Sequence, residues 1–295
     1  MEALARDIVT LGKPKIIVLL AITCLCGSLV AAKGNADLLL PVPVLAGLLG
    51  LIISAAGGNT INMWWDRDID ALMKRTQQRP LPTGRRSPAF VLGLGIFEIV
   101  LGFGVAAYGA NLLTGLMALS GALFYVFVYT MLLKRRTVQN IVIGGAAGAF
   151  PPLVGWAAVQ GDISHPLPWL MFAIIFLWTP PHFWALALLS NSDYRKAKVP
   201  MYPVVHGEAL TRVAILRYLL LLLPVTLAPA LCNPLGWLYL LMATALGAWW
   251  SLSAWHLFKS PADTAHSPAA ARIVFKRSLY YLALVFAAMV VDAWL

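Results

Sequence analysis

The sequence predicts an all-α polytopic membrane bundle of about nine spanning helices around a central cavity, capped by loops on one side. Three observations lead there. The 295 residues are 60% hydrophobic and only 12% charged, with a mean hydropathy of +0.79. Soluble chains carry about 25% charged residues, and no water-soluble fold has enough interior to hide this much apolar surface. Apolar runs long enough to cross a bilayer recur from end to end. Finally, the positive charges sort by side.

In chain order the expected spans are 15–32, 42–64, 88–108, 112–133, 138–159, 167–190, 213–231, 235–257 and 276–294. Long polar connections (65–87, 191–212, 258–275) and the compact Lys134-Arg135-Arg136 alternate with short ones. Of the 22 Lys and Arg, all but Lys33 fall on the side shared by the N-terminus and the long connections. The positive-inside rule puts that side in the cytoplasm and the C-terminus, near Asp292, outside. The formal net charge of +10 is then a topology signal, not a mark of nucleic-acid binding.

Residues 1–295 read as one membrane domain, with a possible four-helix repeat (helices 1–4 and 5–8) followed by a ninth helix. The N-terminal MEALARDIVTLGKPK is polar and short, unlike a signal or transit peptide, which favours a bacterial cytoplasmic membrane. Cys24, Cys26 and Cys232 lie in or beside apolar runs without C-x-x-C spacing and are expected as buried thiols.

The chemistry begins where span 2 leaves the membrane. Asn62, Asp66 and Asp70 are spaced i, i+4, i+8 and form one row on a helix, about 6 Å between neighbours. Stacked carboxylates repel, so a cation belongs there. Oxygen donors at this spacing suit Mg²⁺, which takes one or two carboxylates, waters and a substrate phosphate. Asp68 falls on the far side of the helix and is expected in an ordinary ion pair. Lys74, Arg75 and Arg79 follow, and guanidinium groups match phosphate oxygens bidentately. Pro80 and Pro82 end the segment as an extended loop. A solvated juxtamembrane cap explains the cations alone, but not the acid row, which adds negative charge where topology favours positive.

A second connection, after span 6, carries Asp193 among Arg195, Lys196 and Lys198 on the same membrane face. Alone it would be a helix cap or surface pair. Opposite the first row it offers a further metal ligand.

These residues resemble the UbiA superfamily of intramembrane prenyltransferases. Asn62-x₃-Asp66-x₃-Asp70, Arg75-Thr-x-x-Arg79-Pro-Leu-Pro82, Lys134-Arg-Arg-Thr-x-Gln-Asn140, Gly144-Gly-Ala-Ala-Gly-Ala-Phe-Pro-Pro152 and Trp178-Thr-Pro-Pro-His-Phe-Trp184 are similar to its haem-modifying branch, from about residue 8 to 290. The sequence departs from many members at Ala197, four after Asp193, where a second acid often stands. The resemblance implies farnesyl transfer from farnesyl diphosphate to the 2-vinyl of haem B, with Mg²⁺ as cofactor. It implies that Asn62, Asp66, Asp70 and Asp193 hold metal and diphosphate, with Asp66, Asp70 and Asp193 as metal ligands. Lys13, Arg75, Arg79, Lys134, Arg195 and Lys198 become candidate diphosphate or haem-propionate contacts. A downstream haem-modifying enzyme or terminal oxidase assembly is an implied partner.

Three intramembrane residues join the candidates. His182 follows Pro180-Pro181, a pair expected to interrupt span 6 beside a cavity, and is read as haem contact or proton handling against a packing hydrogen bond. Glu98 faces the bundle or is protonated, as a functional group or an interhelical hydrogen bond. Tyr125 and Tyr129 share a face, and Tyr129 leads toward Lys134. Two rival functions remain: an aromatic-acceptor prenyltransferase of quinone synthesis, and a transporter of an anionic amphipathic ligand.

Overall fold

The computed structural model describes residues 2–231, 235–260 and 266–295. The described residues form helices without strands. They are α1 (Glu2–Gly12), α2 (Pro14–Ala32), α3 (Pro41–Trp65), α4 (Arg67–Leu72), α5 (Pro88–Gly109), α6 (Leu112–Leu123), α7 (Asn140–Gly144), α8 (Pro151–Gln160), α9 (Pro166–Leu189), α10 (Asn191–Lys196), α11 (Tyr202–Leu231), α12 (Trp237–Lys259) and α13 (His266–Ala293). Proline opens α2, α3, α5, α8 and α9, where its missing N–H has no intrahelical partner to lose. Ser87 caps α5 by accepting from the Phe90 amide at 3.3 Å.

Among the described residues, eight helical segments are long and apolar enough to cross a membrane. The expected count of nine is therefore approximate. α12, 23 residues long, is the ninth by length alone, because Trp237, Tyr239, Trp249, Trp250, Trp255 and His256 lower its hydropathy. Most span ends fall within a few residues of the sequence reading. The last and the seventh differ: α11 starts at Tyr202 and α13 at His266, so each extends by polar turns beyond its apolar run. Gly207, with φ 79°, puts a bend inside α11 that an L side chain would resist.

Two spans are irregular. Span 4 continues α6 as a π-helix, Phe124–Leu133, ending with the Lys134 amide bonded to the Tyr129 carbonyl at 2.8 Å. Span 5 is α7, a 3₁₀ turn over Gly145–Ala149, and α8. Open space lies beside Gly148. Non-α backbone at membrane depth is tolerated where protein or a cavity, not lipid, surrounds it. Span 6 corrects an expectation: α9 runs unbroken through Pro180 and Pro181. Just ahead of the pair, Thr179 Oγ1 donates to the Ile175 carbonyl at 2.7 Å.

Packing follows membrane rules, in which small residues let backbones approach. A methyl group at Gly57 would sit 2.7 Å from the Gly95 carbonyl oxygen, and one at Gly50 2.6 Å from that of Gly102, so α3 and α5 touch backbone to backbone. Ser28 on α2 donates to the Gly155 carbonyl of α8 at 3.0 Å. The largest buried cluster joins α9, α11, α12 and α13 through Trp178, Trp184, Tyr239, Trp250, Tyr281 and Phe286. Leu and Val side chains such as Val18, Val42, Leu45, Val100 and Leu220 point outward, where lipid covers them. Cys24 and Cys26 are buried free thiols. Cys232 lies outside the described residues.

Candidate active site

Asn62 and Asp66 are one turn apart at the end of α3, and Asp70 follows one turn later in α4. The helical rise carries through the junction: the Asp66 amide donates to the Asn62 carbonyl at 2.9 Å and the Asp70 amide to the Asp66 carbonyl at 2.8 Å. The row read from spacing is therefore real. It is also buried, with Asp66 0%, Asp70 2% and Asn62 3% exposed. Carboxylates withdrawn from water need partners, and each has them.

Lys134 Nζ and Arg135 Nη2 pair with Asp66, the second at 3.3 Å. Arg79 Nη1 pairs with Asp70 at 2.7 Å. Asn62 Nδ2 donates to Asp66 at 2.9 Å and to Thr130 Oγ1 at 3.0 Å, while Asn62 Oδ1 accepts from Lys13 Nζ at 2.7 Å. Asp68 points away and meets Arg135 at 2.6 Å, the ion pair expected of it. That contact holds the Asp68 carboxyl below its usual range.

The cations come from three segments of the chain, Lys134 and Arg135 sharing one. Lys13 joins α1 to α2 in a left-handed conformation, φ 54°, which costs a side-chain-bearing residue about 1–2 kcal/mol. Arg79 rides on the loop between α4 and α5. Lys134 follows the π-helix, whose wide turns stack Tyr125 on Tyr129 with ring centroids 5.4 Å apart. Lys13 Nζ stands 6.0 Å from the Tyr125 ring centre. Burial pushes the Lys13 ammonium down, as do Arg79 and Lys134, while Asp66 and Asp70 pull it up. Lys13, Arg79, Lys134 and Arg135 outnumber Asp66, Asp68 and Asp70 by one.

The remaining candidates are placed as follows. The second connection reaches the first through apolar contacts: Ala197, Val199 and Met201 pack with Ile69 and Met73, and Tyr129 and Tyr194 pack against them. Ala197 is thus a core residue. Burial pushes the Tyr194 phenol up, against the pull of Arg75. Asp193 is half-buried in the first turn of α10, whereas Arg195 and Lys198 are exposed. Arg195 lines an open depression of about 440 Å³ with Asn191, Ser192 and Lys196. Among the described residues no three His, Cys, Asp or Glu side chains converge on one point. Asp66, Asp70 and Asp193 therefore do not form a ready three-carboxylate cage.

Two of the three intramembrane candidates, His182 and Glu98, make helix–helix bonds. His182 Nδ1 is 2.6 Å from Ser278 Oγ of α13, with its ring stacked on Trp178 at 4.2 Å and near Phe275 at 4.9 Å. Glu98 Oε2 lies 2.8 Å from Thr60 Oγ1, which is also 2.9 Å from the Ala56 carbonyl. A hydroxyl has one proton, so a full pair of bonds needs the Glu98 carboxyl to supply the other.

Two residues at the site had no role in the sequence reading. Thr130 steadies Asn62. Asn140, 1% exposed, donates to the Lys134 carbonyl at 3.2 Å and the Pro200 carbonyl at 3.4 Å, tying the basic hairpin to the second connection. The signal of Thr130 was only a polar residue inside an apolar run, and that of Asn140 only its place at the end of the Lys134-Arg-Arg-Thr-x-Gln-Asn140 motif.

The model of the UbiA prenyltransferase family matches residues 20–291. The chain belongs to that family. Within it, the chain is 49% identical to a protoheme IX farnesyltransferase of Gloeobacter violaceus, over 99% of this chain and 93% of that one. It is 47% identical to that of Synechocystis sp. (99% and 90%) and 46% identical to that of Acidiphilium cryptum (99% and 92%). The UbiA fold is shared with a solved digeranylgeranylglyceryl phosphate synthase, TM-score 0.79 at 20% identity over 99% of both chains. It is shared too with a UbiA homolog from Archaeoglobus fulgidus bound to DMAPP and Mg²⁺, TM-score 0.68 at 17% identity, over 96% of this chain and 99% of that one. This UbiA chain is a multi-pass membrane prenyltransferase.

Proposed function

We propose that the protein transfers the farnesyl group of farnesyl diphosphate to the 2-vinyl group of haem B, with addition of water, giving haem O and pyrophosphate. The observation that carries the diphosphate half is the buried row of Asn62, Asp66 and Asp70 ringed by Lys13, Arg79, Lys134 and Arg135. The acceptor half rests on relatives of nearly equal length that are named protoheme IX farnesyltransferase.

The donor set fits Mg²⁺: Asn62, Asp66 and Asp70 present hard oxygens at one end of a helix. Arg135 Nε and Asn140 Oδ1, buried beside them, have no hydrogen-bond partner among the described residues, as expected at a site built for a polar ligand. Asn62, Asp66 and Asp70 would hold the ion, with Asp193 completing the set from the second connection. Bound there, it would neutralise charge on the diphosphate.

The chain's own residues do the rest. Lys13, Arg79 and Lys134 are positioned to bind the diphosphate oxygens and to stabilise the charge that grows as the farnesyl C1–O bond breaks. Arg75, Arg195 and Lys198 are the outer cations for diphosphate or haem propionate. The apolar interior keeps water from the allylic cation until the vinyl group attacks C1. The new carbocation on the porphyrin side then takes water and loses a proton. Tyr129 and Glu98 border this interior, and His182 acts on haem through the α9–α13 contact or shapes that wall.

The substrates partition into the bilayer, and a downstream haem-modifying enzyme or terminal oxidase assembly would take the product. We place the protein in a bacterial cytoplasmic membrane with its N-terminus and active site on the cytoplasmic side, from the charge distribution. Membranes containing the protein, given farnesyl diphosphate, Mg²⁺ and either haem B or 4-hydroxybenzoate, test the reading. A haem product heavier by one farnesyl group and one hydroxyl group supports it. A prenylated benzoate instead would overturn the acceptor assignment.

A further inference from the structure

Asp7 lies outside the acid row, on the helix that leads to Lys13. It is 5% exposed, and both of its oxygens are used. Oδ1 accepts from Arg85 Nε at 3.1 Å and Oδ2 from Arg86 Nε at 2.8 Å. Those arginines end the loop that carries Arg79. Arg85 Nη2 also donates to the Gln78 carbonyl at 3.0 Å, next to Arg79. At the other end of α1, Asn59 Nδ2 donates to the Gly12 carbonyl at 2.9 Å. Both attachments hold α1 just ahead of Lys13, which is left-handed with its ammonium on Asn62. A strained residue persists only where its surroundings over-determine it. Here the surroundings include the Asn59 bond at Gly12 and the Asp7 latch, both on α1.

We infer that Asp7 is a positioning residue, which straps α1 to the loop between α4 and α5 and so fixes Lys13 and Arg79 together at the site. The inference rests on the reading of Lys13 as a diphosphate contact. A diphosphate bound between two elements needs both at a set distance, and a misplaced contact weakens binding even when every contacting residue is intact. Asp7 therefore acts through Lys13, with no contact to substrate.

The test uses the full chain in detergent, with farnesyl diphosphate affinity measured by intrinsic tryptophan fluorescence and KM and kcat measured separately. Asp7→Ala is expected to weaken farnesyl diphosphate binding and raise its KM about tenfold, the factor equivalent to about 1.4 kcal/mol. KM for the haem acceptor stays unchanged, and Asp7→Glu recovers most of the loss. Lys13→Met is expected to weaken diphosphate binding at least as much. In the double variant the loss is smaller than the sum of the two single losses, because the strap has only Arg79 left to position. If Asp7→Ala lowers expression, Arg85→Gln with Arg86→Gln opens the same latch from the other side. Unchanged affinity in Asp7→Ala, or additive losses in the double variant, would overturn the inference while leaving the site intact. Unchanged affinity in Lys13→Met would overturn the reading beneath it.

Discussion

Asp66→Asn separates structural from chemical roles at the site. Asp66 is fully buried and takes hydrogen bonds from Lys134, Arg135 and Asn62. Asparagine has nearly the same shape but no charge, and its amide nitrogen would face one of these donors. Lys134, with a side chain only 16% exposed, would then keep its charge without its counterion. Breaking a buried pair from one side costs about 3–5 kcal/mol. At a few degrees per kcal/mol, unfolding in detergent should fall by roughly 5–15 °C. Product formation should fall about 10²–10³-fold, the range for loss of one charge-stabilising group. The assay is thermal unfolding of purified protein beside the mass of haem product. A second variant divides the two effects: Asp66→Asn with Lys134→Met removes the unpaired cation, so stability should largely return while activity stays lost. Wild-type product formation by Asp66→Asn would refute the acid row as the diphosphate site. Recovery of activity in the double variant would show that only packing was at stake.

Three further outcomes are expected. Gly57→Ala places a methyl 2.7 Å from the Gly95 carbonyl, so α3 and α5 must part, costing about 1–3 kcal/mol; thermal unfolding in detergent measures it. Asp292→Ala removes acceptors from the Gly236 and Tyr239 amides at the start of α12, at 2.5 and 3.0 Å, and should cost about 1 kcal/mol with product formation unchanged, because this cap lies at the opposite end of the bundle. Burial raises the Asp7 carboxyl, but Arg85 and Arg86 outweigh it and hold it below 3.8. A depressed acid stabilises above its unfolded pKa, so the α1 latch should be constant from pH 5 to 8 and weaken only below about pH 4. Hydrogen-exchange protection of the α1 amides, corrected for intrinsic rates, reads this; loss of protection near pH 6 would refute it.

The sequence by itself determined the bundle, because lipid makes the code simple. A spanning segment must satisfy its own backbone and present apolar side chains, so length and hydropathy locate it. Span ends such as 112–133 needed no tertiary information. Neither did the acid row, since Asn62, Asp66 and Asp70 need only helical spacing to line up, nor the direction of Asp68. Local periodicity could not show the breaks. The π-helix at Phe124–Leu133 and the 3₁₀ turn at Gly145–Ala149 look apolar and helical in sequence, and their backbones yield only to neighbouring helices. The same holds for α9, whose two prolines predict a break that packing removes.

Tertiary structure alone decided which cation meets which acid. Lys13 is 49 positions from Asn62, Lys134 is 68 from Asp66, and Arg79 curls back on Asp70 through a loop. No short-range pattern encodes such pairings, because Coulomb attraction in a buried site depends on distance in space and not along the chain. It also decided that His182 and Glu98 bond across helices, and that Ala197 fills the core between the two connections. The Asp7 strap belongs to this class: one acid in a short polar N-terminus, given meaning only by two arginines nearly eighty residues away.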